Sequence, residues 1–181
     1  MQIALTETQA QAMIEHARTE SPREACGLIA GRRGQATQIV QIANIAANPQ
    51  HQYYMDEAAL GKALVGFERQ GVALLGIYHS HPNGDPIPSP TDIRHAAYPG
   101  TPYLIIGLKQ PHTPQMAAWV IRAGRVDPVN ICIGDQSPEP PPHSDLSRPQ
   151  QIAIVTSAIL AFVVMILLSL ALLPPAPVIP R

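Results

Sequence analysis

The run Val72-Ala73-Leu74-Leu75-Gly76-Ile77-Tyr78 is apolar at both of its alternating sets of positions and ends directly on His79-Ser80-His81-Pro82. A run of this kind reads as a central strand buried on both faces, which requires other elements to cover both sides of its sheet. Side chains alternate along a strand, so His79 and His81 face the same way at its end and Ser80 faces the other. A second strand is expected at Cys26 to Ala30, beyond it a turn at Gly31-Arg32-Arg33-Gly34, then a strand near residues 38–46. Further strands are expected at Tyr103–Leu108, Met116–Ile121 and Val126–Ile133, the last two joined across Arg122-Ala123-Gly124-Arg125.

Three helices fit between them. Thr6-Glu7-Thr8-Gln9 has the form of a capping box opening a helix to about Thr19. Asp56 can cap a helix to about Gln70 with Ala59, Leu60, Ala63, Leu64 and Phe67 on one face. Ser89-Pro90-Thr91-Asp92 reads as an N-cap serine with proline at the first helical position, opening a helix to about Ala97. The fold class expected is therefore α/β (α+β), a mixed sheet flanked by helices.

The chain changes character after residue 133. Residues 134–150 carry Pro138, Pro140, Pro141, Pro142 and Pro149 among polar residues, a composition that stays extended and builds no core. From Ile152 to Leu173 no residue is charged, and Pro174-Pro175 follows. About 20 apolar residues in a helix span a bilayer core, so 152–173 is expected to be a transmembrane helix with a short tail at 174–181. The N-terminal stretch has neither a basic region nor an apolar one and is not a secretory signal. Cys26 and Cys132 are too far apart in the chain for a metal knuckle and fit a reducing compartment. Together these features predict a single-pass C-terminal membrane anchor with residues 1–133 in the cytoplasm. Net charge is −1 and charged residues make up 14% of the chain, so nucleic-acid binding has no electrostatic support. Nothing in the pattern sets an oligomeric state.

The chemistry concentrates around the two histidines. Asp92 follows His81 after ten intervening residues and sits in the first turn of the next helix, which a loop can return to the strand end. Two imidazoles and one carboxylate, with a fourth position left for water, describe a catalytic zinc site. Such a site needs a carboxylate to accept a proton and deliver it to the leaving amine, and Glu24, just before the Cys26 strand, is the best candidate. Ser89 has two expected roles, helix cap and oxyanion hydrogen-bond donor. Asp85 is a rival ligand but lies in a Gly-Asp-Pro loop that favours a turn role. Cys26 reads as a small buried residue rather than a nucleophile. His16, His51, His95, His112 and His143 read as ordinary polar residues.

These residues resemble the signature of the JAMM metallopeptidases, also called MPN-domain proteases: Glu24, His79-Ser80-His81-Pro82, then Ser89 and Asp92. The resemblance extends to residues 24–31 and 98–106 and covers roughly residues 1–133. It implies a cytidine-deaminase-like fold, Zn2+ held by His79, His81 and Asp92, Glu24 as general acid and base, and Ser89 assisting the tetrahedral intermediate. It also implies cleavage of amide bonds after the C-terminal Gly-Gly of ubiquitin-like or sulfur-carrier proteins. Three alternatives stand beside it. A RadC-like, repair-associated protein shares the run from His79 to Asp92, including Gly84-Asp85-Pro86. A non-catalytic module would bind a ubiquitin-like protein without cutting it, and a small-molecule hydrolase would use the same metal.

Overall fold

The computed structural model describes residues 2–134 and, beyond them, Ser157, Phe162 and Met165. The chain divides into two units, Met1–Glu139 and Pro140–Arg181. The first contains seven strands and three helices in the order β1 (Gln2–Leu5), α1 (Glu7–Glu20), β2 (Cys26–Arg32), β3 (Gln35–Ile42), α2 (Glu57–Gln70), β4 (Ala73–His81), α3 (Pro90–His95), β5 (Pro102–Gly107), β6 (Gln115–Arg122) and β7 (Arg125–Ile133).

Local chemistry sets most of the boundaries. The Thr6 hydroxyl accepts from the Gln9 amide while the Gln9 side chain accepts from the Thr6 amide, completing the capping box that opens α1. Asp56 accepts from the Ala59 amide at 2.7 Å to open α2, and Gly71 closes it in the left-handed conformation at φ 64°. Two hairpins turn through pairs of residues with positive φ, Arg33-Gly34 and Ala123-Gly124, the geometry that matches strand twist in a two-residue loop.

The mixed sheet and flanking helices are as expected, but the sheet does not stay open. Its strands run β1-β3-β2-β4-β5-β6-β7, and β1 pairs in parallel with β7, which closes a barrel. Sequence reasoning assigned no element to residues 2–5. A four-residue strand shows almost no periodicity, and its partner lies about 130 residues away. The strand expected near 38–46 starts earlier and ends at Ile42, and α3 ends at His95 rather than Ala97. The β4 strand is central, antiparallel to β2 and parallel to β5. It is buried on both faces only from Gly76 to Ser80, its first residues being partly open.

Two apolar clusters form on opposite faces of the sheet. One gathers Met13 and Ala17 of α1 with Leu5, Ile29, Tyr78 and Leu104. The other gathers Phe67 of α2 with Leu28, Met55, Ile77 and Tyr103. Alternation along β4 then places His79 on the Ile77 side, under α2, and Ser80 on the Tyr78 side, under α1.

Ser157, Phe162 and Met165 are helical, and Phe162 and Met165 are exposed. The other residues of the expected linker, membrane helix and tail lie outside the described residues. Among the described residues no helix is long and apolar enough to cross a membrane.

Candidate metal centre

The β2–β4 ladder pairs Cys26 with His79, and the Ser80 amide donates to the Ala25 carbonyl at 2.9 Å. Continuing that register two pairs beyond Cys26 and His79 sets Glu24 opposite His81. The Ser80 hydroxyl, on the far face, accepts from the Ala25 amide at 2.8 Å and ties the Glu24 segment to β4 at the level of the histidines. The segment that ends in Glu24 is thus joined to the strand that carries the two histidines.

Asp92 arrives from the other side. Ser89 caps α3 by accepting from the Asp92 amide at 3.1 Å, and Asp92 Oδ2 accepts from the Ser89 amide at 2.7 Å. This reciprocal pair points the Asp92 carboxylate back out of the helix and towards β4. Asp92 Oδ1 lies 3.5 Å from His79 Nε2, Asp92 Oδ2 lies 3.3 Å from His81 Nε2, and the two Nε2 atoms are 3.2 Å apart. Ligands at 2.0–2.1 Å around a tetrahedral ion are separated by about 3.3–3.4 Å. Each imidazole nitrogen thus faces one oxygen of the carboxylate, and the other imidazole, at close to this spacing, and the three residues together form a group able to hold a metal ion. The cluster is largely buried, His79 fully and Asp92 to within 9%, with His81 partly open.

The loop between β4 and α3 fixes His81. His81 Nδ1 is 2.9 Å from the Asp85 carbonyl, so it carries the proton and leaves Nε2 free as a ligand. The Asp85 carboxylate is taken by Lys109 at 2.8 Å, so its contribution to the centre comes through its backbone and not as a rival ligand. Trp119 Nε1 donates to the Pro86 carbonyl at 2.8 Å. Gly107 lets the loop press close, since a Cβ there would stand 2.8 Å from the Gly84 carbonyl oxygen and the Pro86 ring.

Glu24 is 5% exposed, and its Oε2 is buried without a hydrogen-bond partner among the described residues. Burial pushes its carboxyl up to about 7, with His81 pulling it down and Asp92 pushing it up. A carboxyl in that range can both accept and donate a proton near neutral pH. Burial also works against the Asp92 carboxylate. In the metal-free protein, where Nε2 of each imidazole can still carry a proton, hydrogen bonding from His79 and His81, the His79 charge and the Ser89 contact outweigh it and hold Asp92 well below the usual carboxylate range. Burial lowers His79. At Cys26, burial pushes the thiol up to about 12, which leaves it unreactive as a nucleophile. His16 meets the Tyr78 hydroxyl at 3.0 Å instead of the cluster, and His143 lies outside the described residues.

Two residues around the centre went unnoticed in the sequence. Asn44 is buried, and its side chain is fully used: Nδ2 donates to the Glu24 and Gln52 carbonyls, and Oδ1 accepts from the Ala46 and Tyr54 amides. Tyr53 stacks on the His79 ring. The cavity beside it, about 610 Å³, is lined by Ile45, Tyr54, Leu60, Tyr98 and Asp92 among others. An asparagine and a tyrosine in a polar loop carry no periodicity or spacing that would have marked them.

Ser89 serves the cap by accepting, so its own proton remains available to donate. Replacing it with alanine should lower stability by about 1 kcal/mol, the usual loss for a cap, and weaken metal retention by loosening Asp92. Thermal melting and metal content of Ser89→Ala check both.

The closed mixed barrel thus brings two histidines from the end of β4, an aspartate from α3 and a buried carboxyl before β2 together as a group that could hold a metal ion. The family described as prokaryotic homologues of the JAB domain matches residues 6–122, and the chain belongs to it. A Thermus thermophilus protein named "Probable TtuB-protein conjugate cleaving protease" is 45% identical over 92 residues, which are 51% of this chain and 61% of that protein. The chain thus spans about three fifths of that relative. A desampylase of Haloferax volcanii is 35% identical over 57% of this chain and 78% of its own length. A CysO-cysteine peptidase of Mycobacterium bovis is 32% identical over 66% of this chain and 84% of its own. Among solved structures, protein DSY2949 of Desulfitobacterium hafniense superposes with a TM-score of 0.67 at 34% identity, covering 72% of this chain and 92% of that one.

Proposed function

We propose that this chain is a zinc-dependent peptidase that hydrolyses amide bonds following the C-terminal Gly-Gly of ubiquitin-like or sulfur-carrier proteins, tethered to a membrane by residues 152–173 with its catalytic domain in the cytoplasm. The observation that carries the reading is the convergence of His79, His81 and Asp92 at ligand spacing beside Glu24. The names of the relatives, which cleave protein conjugates or act on CysO-cysteine, support the substrate class. The apolar run 152–173 supports the tether.

His79 Nε2, His81 Nε2 and an Asp92 oxygen would hold the ion, which supplies Lewis-acid polarisation of the scissile carbonyl and of water. Glu24 accepts the proton of the attacking water and passes it to the departing amine. Ser89 donates its hydroxyl proton to the oxygen on which negative charge develops. The Asp85 carbonyl keeps His81 in the tautomer that leaves Nε2 free.

The test incubates the protein with sulfur-carrier proteins extended beyond Gly-Gly and reads the products by mass spectrometry. Cutting directly after Gly-Gly, abolished by a chelator and restored by zinc, is the expected result. Cutting that persists in chelator would overturn zinc dependence. The tether is tested by fractionation: the full chain should sediment with membranes, and a chain ending at residue 134 should remain in the supernatant.

A further inference from the structure

We propose that Tyr53 is a positioning residue that holds His79 in ligating orientation by ring stacking. The inference rests on the metal-centre reading above and concerns how the two histidines are held. His81 has a hydrogen bond behind it, from Nδ1 to the Asp85 carbonyl at 2.9 Å. His79 has none: its Nδ1 is buried and without a partner among the described residues. The second side-chain torsion of histidine has a broad, shallow energy profile, so an imidazole lacking a hydrogen bond on its rear nitrogen needs packing to define its plane.

Tyr53 supplies that packing. Its ring lies against the His79 imidazole with centroids 4.5 Å apart and planes 25° apart, a stacked arrangement. The tyrosine is itself held on both sides. The Gln52 carbonyl before it accepts from Asn44 Nδ2 at 3.1 Å, and the Tyr54 amide after it donates to Asn44 Oδ1 at 3.0 Å. Asn44 in turn donates to the Glu24 carbonyl at 2.9 Å. One buried amide therefore joins the backbone of the proton-handling residue to the ring that orients a ligand. The Glu24 amide adds a second tie to the same loop, donating to the Pro49 carbonyl at 2.7 Å. Tyr53 also lines the cavity of about 610 Å³. The stacking needs the ring and not the hydroxyl.

The test loads the full chain with cobalt(II), whose visible absorption reports ligand geometry, and measures zinc affinity by competition with a chromophoric chelator. Tyr53→Phe should give the wild-type cobalt spectrum and a zinc Kd within about twofold. Tyr53→Leu should weaken zinc by about tenfold or more, the range for lost outer contacts of a ligating histidine, and should shift the cobalt bands. If Tyr53→Leu does not fold, Tyr53→Met, which fills similar space without a ring, is held to the same criteria. An unringed variant that binds zinc as tightly as wild type with an unchanged cobalt spectrum overturns the proposal. A wild-type chain that takes up no cobalt or zinc overturns the metal-centre reading beneath it, so the two failures are told apart.

Discussion

Glu24→Gln is expected to retain one metal ion per chain while losing turnover by about 10²–10⁴, the usual contribution of a positioned general acid and base. Glutamine keeps the shape of the side chain but can neither accept nor carry the proton. Metal content measured beside peptidase rate checks this, and loss of metal from the variant would make Glu24 a ligand or a structural residue. The same substitution has a signature in the metal-free protein. Burial raises the Glu24 carboxyl to about 7 from 4.5, so ionising it opposes folding. The stability tied to the neutral form is fully present below pH 4.5 and is lost as pH rises through 7. Glutamine cannot ionise and escapes that loss. Chelator-treated Glu24→Gln should thus match wild type near pH 4 and exceed it by about 2–3 kcal/mol at pH 8 in urea denaturation. Equal stability at both pH values would show that Glu24 is not desolvated as described.

Asp92→Asn should release the metal and reduce activity by about 10³ or more, equivalent to about 4 kcal/mol of lost transition-state stabilisation. Asparagine retains an oxygen to accept from the Ser89 amide, so α3 stays capped, but it removes the charge that both imidazoles face. The fold should survive, and circular dichroism with metal analysis separates loss of ligand from loss of structure. His81→Ala should give the same metal-free outcome. A variant of either kind that keeps zinc and full activity would sink the site assignment.

The centre was readable because its parts obey local rules. The i, i+2 spacing of His79 and His81 states that they share a face once residues 72–78 are recognised as a strand. Ser89-Pro90-Thr91-Asp92 states that the carboxylate sits in a helical first turn, where the cap aims it. Glu24 needed one non-local step, the pairing of β2 with β4, and both strands were apolar enough to announce themselves. What was missed depends on contacts that no short window encodes. Barrel closure rests on β1 meeting β7, at opposite ends of the domain. Asn44 and Tyr53 matter only because a loop folds back beneath α2 and brings an amide and a ring to the strand end. Asp85 was weighed as a ligand because sequence shows a side chain and hides the carbonyl, which is the group that acts.

Trp119 is the chain's only tryptophan, and its indole N–H is hydrogen-bonded to the loop that carries Asp85 and ends at Ser89. The protein therefore has a single indole, bonded one residue along from the carbonyl that meets His81 Nδ1. Its emission belongs to one site, undiluted by other indoles. Filling and emptying of the centre is therefore expected to register in its emission when excited selectively, without a label, even in variants that no longer turn over.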